Sequence, residues 1–441
     1  MGRMETAFKY ANEQRDYLES RVKEGIEKNR KGDMKIKLTD KKGNPIVGAK
    51  VSVKLKNHEF RHGSNIFMLD ELETDEKNQL YKEQVGKAVN MATLPFYWKD
   101  QEPRQNETRY TTDSEKIYRR PAPDLCLEYC KKYNIEPKLH CLNYSQWTPD
   151  WVPDNVETTK KLLEKRYGEI SERYANKIND IEVVNEMLLA CKRKIFNEPD
   201  IIKWSFELAE KYFPNNNLMI NEAGDVYEHM LFGTRMPYYG KRMPYYMLIK
   251  NLLNDSVRID KIGLQYHFFF PKENEAESAE FYFNPKNIYK ILDDLSEFGK
   301  PIQITEITIP AYSESSEDEE TQAQLLRMMY SIWFSHPAVT GAIYWNMVDG
   351  YAAYAPQGDM TSGENYYYGG LLRFDLSQKP SYKVFYDLFH KEWNTEEDLI
   401  TDENGECEFR GFYGDYEITV EGKKHNLSFY KKNDNKAEIN Q

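Results

Sequence analysis

The chain has 441 residues, of which 40% are hydrophobic and 14% aromatic, so it can bury a large core and still line a groove with rings. A formal net charge of −12 argues against nucleic-acid binding, which needs a basic stripe, and favours a role in solubility. No run of about 18 apolar residues occurs, so we expect no membrane-spanning helix.

Residues 1–30 are polar and charged and lack the apolar centre of a secretory signal. This predicts a cytoplasmic protein, or a secreted one from which the signal has been removed. The cysteines, Cys126, Cys130, Cys141, Cys191 and Cys407, are odd in number, so a disulfide framework is not expected. No second cysteine pair follows at zinc spacing, so we expect free core thiols, no metal and no cofactor.

Both ends of the chain carry short alternating segments. Residues 1–33 predict an N-terminal helix, and residues 34–40 and 49–56 alternate apolar and polar side chains as a hairpin with one solvated face does. Similar strands with glycine-containing turns recur between residues 400 and 432. Because two strands alone are marginally stable, we predict one small β-sandwich from residues 34–58 and 400–432. The alternative is two unrelated extensions.

Between the two ends, strand-like apolar runs alternate with segments of helical period. The runs are residues 61–68, 88–98, 137–144, 178–186, 217–223, 259–267, 301–309 and 339–347. Repeated strand–helix alternation predicts an α/β fold, a (β/α)₈ TIM barrel over residues 60–395. A doubly wound open sheet is the rival, but no glycine-rich phosphate loop opens any helix.

Two of these runs carry a glutamate in apolar surroundings. Residues 178–186 end in Asn185 and Glu186, and Glu306 stands among isoleucines and threonines in residues 301–309. Burying an unpaired carboxylate is costly, so a functional reason is expected. The two glutamates belong to the fourth and seventh predicted strands, at or near the carboxyl end where barrels build active sites. The sequence therefore predicts two acids brought to one place.

Several short motifs occur in one order along the chain. They are Trp98-Lys-Asp-Gln-Glu-Pro103, Thr148-Pro-Asp-Trp151, Val183-Val-Asn-Glu186, Ile262-Gly-Leu-Gln-Tyr-His267, Ile304-Thr-Glu306-Ile307, Tyr344-Trp345 with Asp349-Gly350, and Leu371-Leu-Arg-Phe-Asp375 with Lys379-Pro380. Together they resemble glycoside hydrolase family 10, the endo-β-1,4-xylanases, over residues 60–393.

The resemblance implies a retaining mechanism, with Glu186 as proton donor and Glu306 as nucleophile about 5–5.5 Å apart. It also implies that Asn185 binds the sugar 2-OH. Neighbouring side chains on an ideal strand point to opposite faces, so a bulge or loop must re-aim Asn185 or Glu186.

The remaining site candidates follow from the same motifs. His267 is expected to hydrogen-bond Glu306, with Gln265 on the same face. Trp345 is expected to form a sugar platform, and Trp98 and Trp147 are weaker candidates. We expect Asn221 and Glu222, which end the fifth run, to form a hydrogen-bonding scaffold.

The sequence departs from the family on the donor side of the cleaved bond. Where the family carries Glu, Asn and Lys that grip the sugar, this chain has Thr93, Leu94 and Tyr97, and a family His becomes Ser145. We expect Tyr97 and Ser145 to contact ligand or to close the pocket. His140 fits the family pattern of the third strand, as a ligand contact or a structural histidine.

The leading hypothesis is a retaining β-glycosidase acting on xylan or a related β-linked poly- or oligosaccharide. Alternatives are an exo-acting or side-chain-cleaving glycosidase, and a non-catalytic carbohydrate-binding barrel. A carbohydrate is thus the expected partner, without nucleic acid or membrane, and the sequence predicts no oligomeric state. The repeat Arg-Met-Pro-Tyr-Tyr in residues 235–246 is either a tyrosine-rich loop at the groove mouth or an idle duplication.

Overall fold

A computed structural model describes residues 2–188, 191–223 and 240–441, so the first half of the Arg-Met-Pro-Tyr-Tyr repeat lies outside the described residues. The N-terminal segment is three helices, Arg3–Ala7, Lys9–Glu13 and Arg15–Asn29, and not the single predicted helix. The breaks fall at Phe8 and Gln14, and the segment is anchored to the barrel at both ends. Arg3 is hydrogen-bonded at one end and Asn29 at the other.

The first two strands of the described chain are β1 (Lys31–Thr39) and β2 (Lys50–His58). Next come the strands of a closed parallel barrel, in which each strand pairs with its sequence neighbour and the last closes on the first. They are β3 (Arg61–Asn65), β4 (Met91–Pro95), β5 (Glu136–His140), β6 (Asp180–Asn185), β7 (Asn217–Glu222), β8 (Lys261–His267), β9 (Ile302–Thr308) and β10 (Val339–Tyr344). Every predicted run overlaps one barrel strand, although several runs extend past the end of the strand, and the predicted (β/α)₈ class is confirmed.

Helices follow the barrel strands and cover the barrel from outside. They are Asp75–Ala88, Trp98–Gln101, Pro123–Tyr133, Val156–Tyr174, Ile201–Tyr212, Pro244–Asn254, Glu275–Tyr282, Pro285–Ser296, Ser316–Ser335 and Pro380–Asp387. Local sequence sets where several of them begin. The side chains of Thr74, Asn155 and Ser315 accept a backbone N–H at the N-caps. None of the helices in the described parts of the chain is both long and apolar enough to cross a membrane.

The chain ends in β11 (Glu396–Ile400), β12 (Glu406–Phe412), β13 (Gly414–Val420), β14 (Lys423–Phe429) and β15 (Lys436–Asn440). These strands join the first two in a sheet ordered β12-β1-β15 and a sheet ordered β11-β2-β13-β14. The predicted hairpin between β1 and β2 is therefore wrong, because each of the two strands pairs with C-terminal strands in a different sheet. The buried faces of the sheets meet where Phe409 packs edge-on against Tyr416, with ring centroids 5.5 Å apart.

The two sheets and the barrel share an aromatic junction at Phe334, in the helix Ser316–Ser335. Its ring stacks on Trp393, with centroids 4.1 Å apart, and lies 5.0 Å from Phe60 and 6.0 Å from Phe412. The junction continues the barrel core into the sheets formed by the chain ends, so these sheets brace the end of the barrel where β3 begins.

Candidate active site

A cavity of about 480 Å³ opens at the carboxyl ends of the barrel strands. All predicted site residues line it except Trp98 and Ser145. The predicted residues that line the cavity are Tyr97, His140, Trp147, Asn185, Glu186, Gln265, His267, Glu306 and Trp345. The barrel thus brings together side chains that are far apart in the sequence.

Local backbone geometry lets Asn185 and Glu186 both face the cavity. β6 ends at Asn185, and Glu186 adopts a left-handed conformation with φ of +51°. The pairing of β6 with β7 also shifts by one residue between Glu182 and Val184. These irregularities supply the re-aiming that two adjacent inward-facing residues require.

Gln265 connects the two glutamates. Its amide nitrogen donates to Glu186 Oε1 at 3.0 Å and to Glu306 Oε1 at 3.1 Å. Because one nitrogen touches both oxygens, these oxygens lie at most about 6 Å apart, below the ~6.5–9.5 Å typical of inverting glycosidases.

Asn221 forms a scaffold beneath this pair, as expected. Its NH₂ group lies 2.9 Å from Asn185 Oδ1 and 3.1 Å from Glu306 Oε1. Gln265 donates to the same Asn185 oxygen at 3.2 Å, so the oxygen of Asn185 faces its neighbours and its NH₂ group is left for a ligand. The neighbouring Glu222 accepts the backbone N–H groups of Met187 and Leu188, fixing the turn after Glu186.

His267 orients the other oxygen of Glu306. Its Nε2 lies 3.2 Å from Glu306 Oε2, and its Nδ1 lies 2.9 Å from the Thr308 hydroxyl. Burial lowers the pKa of His267, against the attraction of Glu364 and Glu186. Burial thus favours the neutral ring, and the tautomer that donates to Glu306 can accept the Thr308 proton on Nδ1.

Glu306 is deeply buried, and burial raises its pKa from 4.5 to about 8, with Glu182 and Glu186 adding to the rise and His140 opposing it. Three N–H groups, from Asn221, Gln265 and His267, face its carboxyl oxygens. Donors aimed at a carboxylate favour its charged form. The site thus holds a carboxyl group poised to ionise near neutral to mildly alkaline pH.

His140 lines the cavity and belongs to a buried polar chain that leads from Tyr97 to Lys138. Its Nδ1 lies 2.7 Å from Glu182 Oε1, and its Nε2 lies 2.9 Å from the Tyr97 hydroxyl. Lys138 Nζ lies 2.8 Å from Glu182 Oε2. Although burial opposes ionisation, His140 and Lys138 lower the pKa of Glu182 to about 2.

His140, Cys141 and Glu182 are close enough for a metal ion. However, His140 and Lys138 already occupy the Glu182 carboxylate. The group is thus explained by its own ion pairs.

Aromatic rings form the cavity walls. Tyr97 stacks on Trp147 with centroids 4.8 Å apart, and Phe67 packs edge-on against Trp345 at 5.2 Å. Such rings offer flat apolar faces of the kind that sugar rings pack against.

Trp98 and Ser145 lie outside the cavity lining. The Trp98 indole donates to Glu102 and packs edge-on against Trp151, and neither of these partners lines the cavity. Ser145 is buried, and its carbonyl accepts the Thr148 hydroxyl. The short helical turn Ser145–Trp147 directs the neighbours of Ser145 inward in its place.

Sequence reasoning missed several lining residues. The Tyr144 hydroxyl donates to Glu186 Oε2 at 2.6 Å, a contact that its place beside Ser145 in the family motif could have suggested. Arg119 and Arg120 also line the cavity, and they come from a loop without a recognisable pattern. Phe67 lies in the predicted run 61–68 but beyond the end of β3, and Glu364 lies in the short helical turn Gly363–Tyr367.

The family profile described as Glycosyl hydrolase family 10 matches residues 67–386. The chain belongs to this family. It is therefore a xylanase-like member of the glycoside hydrolases, and its barrel is a family 10 barrel.

Among individual relatives, this family 10 chain is 27% identical over 414 residues to the anti-sigma-I factor RsgI6 of Acetivibrio thermocellus, covering 90% of this chain and 46% of that one. It is 24% identical over 397 residues to endo-1,4-beta-xylanase 2 of Arabidopsis thaliana, covering 89% and 32%. The chain thus spans about a third to a half of the length of these curated relatives.

Solved structures share the fold. Xylanase 10B from Thermotoga petrophila RKU-1, in complex with xylobiose, aligns with a TM-score of 0.58 at 18% identity, over 76% of this chain and 95% of that one. Native xylanase 10B from Thermotoga maritima aligns with a TM-score of 0.58 at 19% identity, over 76% and 96%.

Proposed function

We propose that this family 10 chain is a retaining β-glycosidase that cleaves xylan or a related β-linked saccharide by double displacement. One observation carries the proposal: the Gln265 amide touches both Glu186 and Glu306. This holds the two carboxyl groups at the short separation that leaves room for a glycosidic bond but not for an additional attacking water.

In the first step, Glu306 attacks the anomeric carbon while Glu186 gives its proton to the leaving oxygen. The glycosidic bond breaks and an ester to Glu306 forms. In the second step, Glu186, now ionised, takes a proton from water, which attacks the same carbon and releases Glu306 as carboxylate. Asn185 is placed to contact the sugar 2-OH through its NH₂ group, since its oxygen is already held.

Family membership and the names of the relatives favour xylan. The donor side of the site is nevertheless rebuilt. Thr93 and Leu94 are fully buried, and Tyr97 is bonded to His140, so none of the three can grip a sugar as the charged and amide residues of the family do. The proposal therefore covers related β-linked saccharides as well as xylan.

The altered residues on the donor side of the cleaved bond favour exo action as a second candidate function. Tyr97 stands where the family grips the donor-side sugar, and here it stacks on Trp147 in a cavity wall that also contains Phe67, Arg119 and Arg120. Product analysis on β-1,4-xylohexaose distinguishes the two: an exo-acting enzyme releases only short products from one end, and an endo-acting enzyme releases intermediate lengths first.

Azide rescue tests the roles of the two glutamates. Glu306→Ala and Glu186→Ala are each assayed on activated aryl β-glycosides with and without sodium azide. Azide should restore turnover in both variants, giving an α-glycosyl azide with Glu306→Ala and a β-glycosyl azide with Glu186→Ala. Full activity of either variant without azide would remove the assignment.

The conservative variants Glu306→Gln and Glu186→Gln serve as the matched pair, because each keeps the side-chain volume and one acceptor oxygen while removing the charge. Each should reduce kcat by about 10³-fold or more, since a nucleophile or proton donor is lost.

A further inference from the structure

Arg119 is a buried arginine in the wall of the substrate cavity. It is 6% exposed and lines the cavity beside Phe67. Its backbone is left-handed, with φ of +62°, a costly conformation for a residue other than glycine. Burying the charge and holding this backbone conformation both cost free energy, so we expect a partner that stabilises the guanidinium.

Few protein acceptors satisfy this guanidinium. Of its five N–H donors, one meets the Tyr351 carbonyl and one meets Asn346 Oδ1 at 3.3 Å. Among the described residues no carboxylate lies within ion-pair distance of it.

Other buried arginines outside the cavity are better satisfied. Arg3 forms ion pairs with Glu275 and Asp318. Arg166, which is 2% exposed, donates to the carbonyls of Leu142, Phe96 and Cys141 and to Gln101 Oε1. Arg119 therefore differs from them in both respects: it faces the cavity, and most of its donors are unused.

The neighbouring Arg120 has a different task. Its Nε donates to Asp100 Oδ2 at 2.7 Å, and its guanidinium lies 4.3 Å from the Tyr97 ring centroid and 4.5 Å from that of Trp147. It is neutralised and braces the aromatic stack. The charge of Arg119 is offset only at a distance, because Asn346 separates it from Glu364 by accepting from Arg119 and donating to Glu364 at 3.0 Å.

We propose that Arg119 forms a subsite for an oxyanion carried by the substrate sugar, either the carboxylate of a uronic acid or a sulfate ester. The planar fork of an arginine suits both groups, and in a buried cavity such a contact is strong. The inference rests on the proposed function, because it names a substrate class for the same cavity. It also accounts for the donor side, where the neutral-sugar grips of the family are missing and arginines stand in the wall.

Binding to the inactive Glu306→Gln variant tests the subsite without turnover. The probes are matched 4-nitrophenyl β-glycosides of gluco and galacto configuration, each as neutral sugar, 6-carboxylate and 6-sulfate, measured by calorimetry. At least one oxyanionic probe should bind about ten- to a hundredfold more tightly than its neutral partner. The carboxylate and sulfate arms identify which oxyanion is preferred.

Arg119→Gln in the same background should bring that ratio to within about twofold, and Arg119→Lys should retain part of it. Arg327→Gln, a half-exposed arginine paired with Glu392 on the outer surface, is the control for net charge and should leave the ratio unchanged. The inference is overturned if no oxyanionic probe binds more tightly than its neutral partner, or if the preference survives Arg119→Gln.

The two proposals fail in different ways. Hydrolysis of neutral β-glycosides with no oxyanion preference leaves the proposed function standing and removes the subsite. An oxyanion preference that depends on Arg119, without hydrolysis of xylan, β-1,4-xylohexaose or any probe by the unaltered chain, supports the subsite and removes the proposed function.

Discussion

Glu306 is the residue at which burial and chemistry oppose each other most clearly. The proposed reaction needs it ionised, whereas burial raises its pKa to about 8. Asn221, Gln265 and His267 direct N–H groups at its oxygens and so reduce the cost of the charge. The same cost makes its ester with a sugar comparatively favourable, because the ester carries no charge.

The raised pKa predicts an alkaline-shifted acid limb of the pH profile. Only ionised Glu306 can attack, so kcat/KM should rise with pH with a midpoint near 8, and not near 4.5. The measurement is kcat/KM for an activated aryl glycoside between pH 4 and 10. A plateau reached by pH 6 would contradict this expectation.

Glu182→Gln gives the matched comparison for this pH profile. Glu182 raises the pKa of Glu306, while His140 and Lys138 lower it. Removing the carboxylate and freeing these partners should move the acid limb to lower pH. A limb that stays in place or moves upward, in a variant with an unchanged circular dichroism spectrum, would show that the buried chain does not act on Glu306.

For single residues of the site, the sequence predicted those on strands better than those on loops. Asn185, Gln265, His267 and Glu306 occupy strand positions whose direction the barrel imposes. Tyr144 ends the predicted run 137–144 but lies beyond the end of β5, and Arg119 and Arg120 lie in a loop. Outside a strand, no periodicity tells which side chain turns inward. Ser145 was predicted in place of Tyr144 because an ungapped alignment cannot show which of two neighbours faces the cavity.

At the scale of elements, the first helix of the chain is tied to the barrel by one side chain. Arg3 forms buried ion pairs with Glu275 at 2.8 Å and Asp318 at 3.3 Å. These partners lie on the helices Glu275–Tyr282 and Ser316–Ser335, which flank β9. The N-terminal segment thus clamps two of the helices around the strand that carries Glu306.

Arg3→Met should lower the free energy of unfolding by about 3–5 kcal/mol, because it leaves two buried carboxylates without their arginine. Urea denaturation measures the change. Arg104→Ala is the control, since Arg104 pairs with Glu107 on the exposed surface and its loss should cost at most about 1 kcal/mol. Equal small effects for both variants would show that the clamp contributes little.

The sequence predicted the elements whose buried residues form a regular apolar pattern, and it missed the elements in which they do not. Each barrel strand is an apolar run, so all were found. β11 and β15 are edge strands with mostly exposed or half-exposed residues, so neither showed a clear alternation. The breaks in the N-terminal segment depend on anchors distant in sequence, which local helix propensity cannot reveal.

On the scale of the whole molecule, the sheets from both chain ends and the barrel share one hydrophobic core that runs through Phe334. Because β1 and β2 need C-terminal strands for pairing, the chain ends must meet before either sheet is complete. We propose residues 60–395 as the catalytic domain and the flanking segments as its brace.

Phe334→Ala should therefore destabilise the barrel and the sheets together, by about 3–5 kcal/mol, because it empties a junction that both share. A single cooperative thermal transition at lower Tm is expected by calorimetry. The control is Leu80→Ala, which truncates a side chain that is 41% exposed on the helix Asp75–Ala88. Two separate transitions in the Phe334 variant would show that the sheets and the barrel fold independently.

Trapping of the glycosyl–enzyme tests the central claim most directly. The chain is incubated with 2,4-dinitrophenyl 2-deoxy-2-fluoro-β-xylobioside, and the product is examined by intact mass and peptide mapping. A single added fluoroglycosyl group on Glu306, absent in Glu306→Gln, is the predicted result. A label on any other residue, or hydrolysis of an unmodified β-glycoside that first releases the α-anomer, would contradict it.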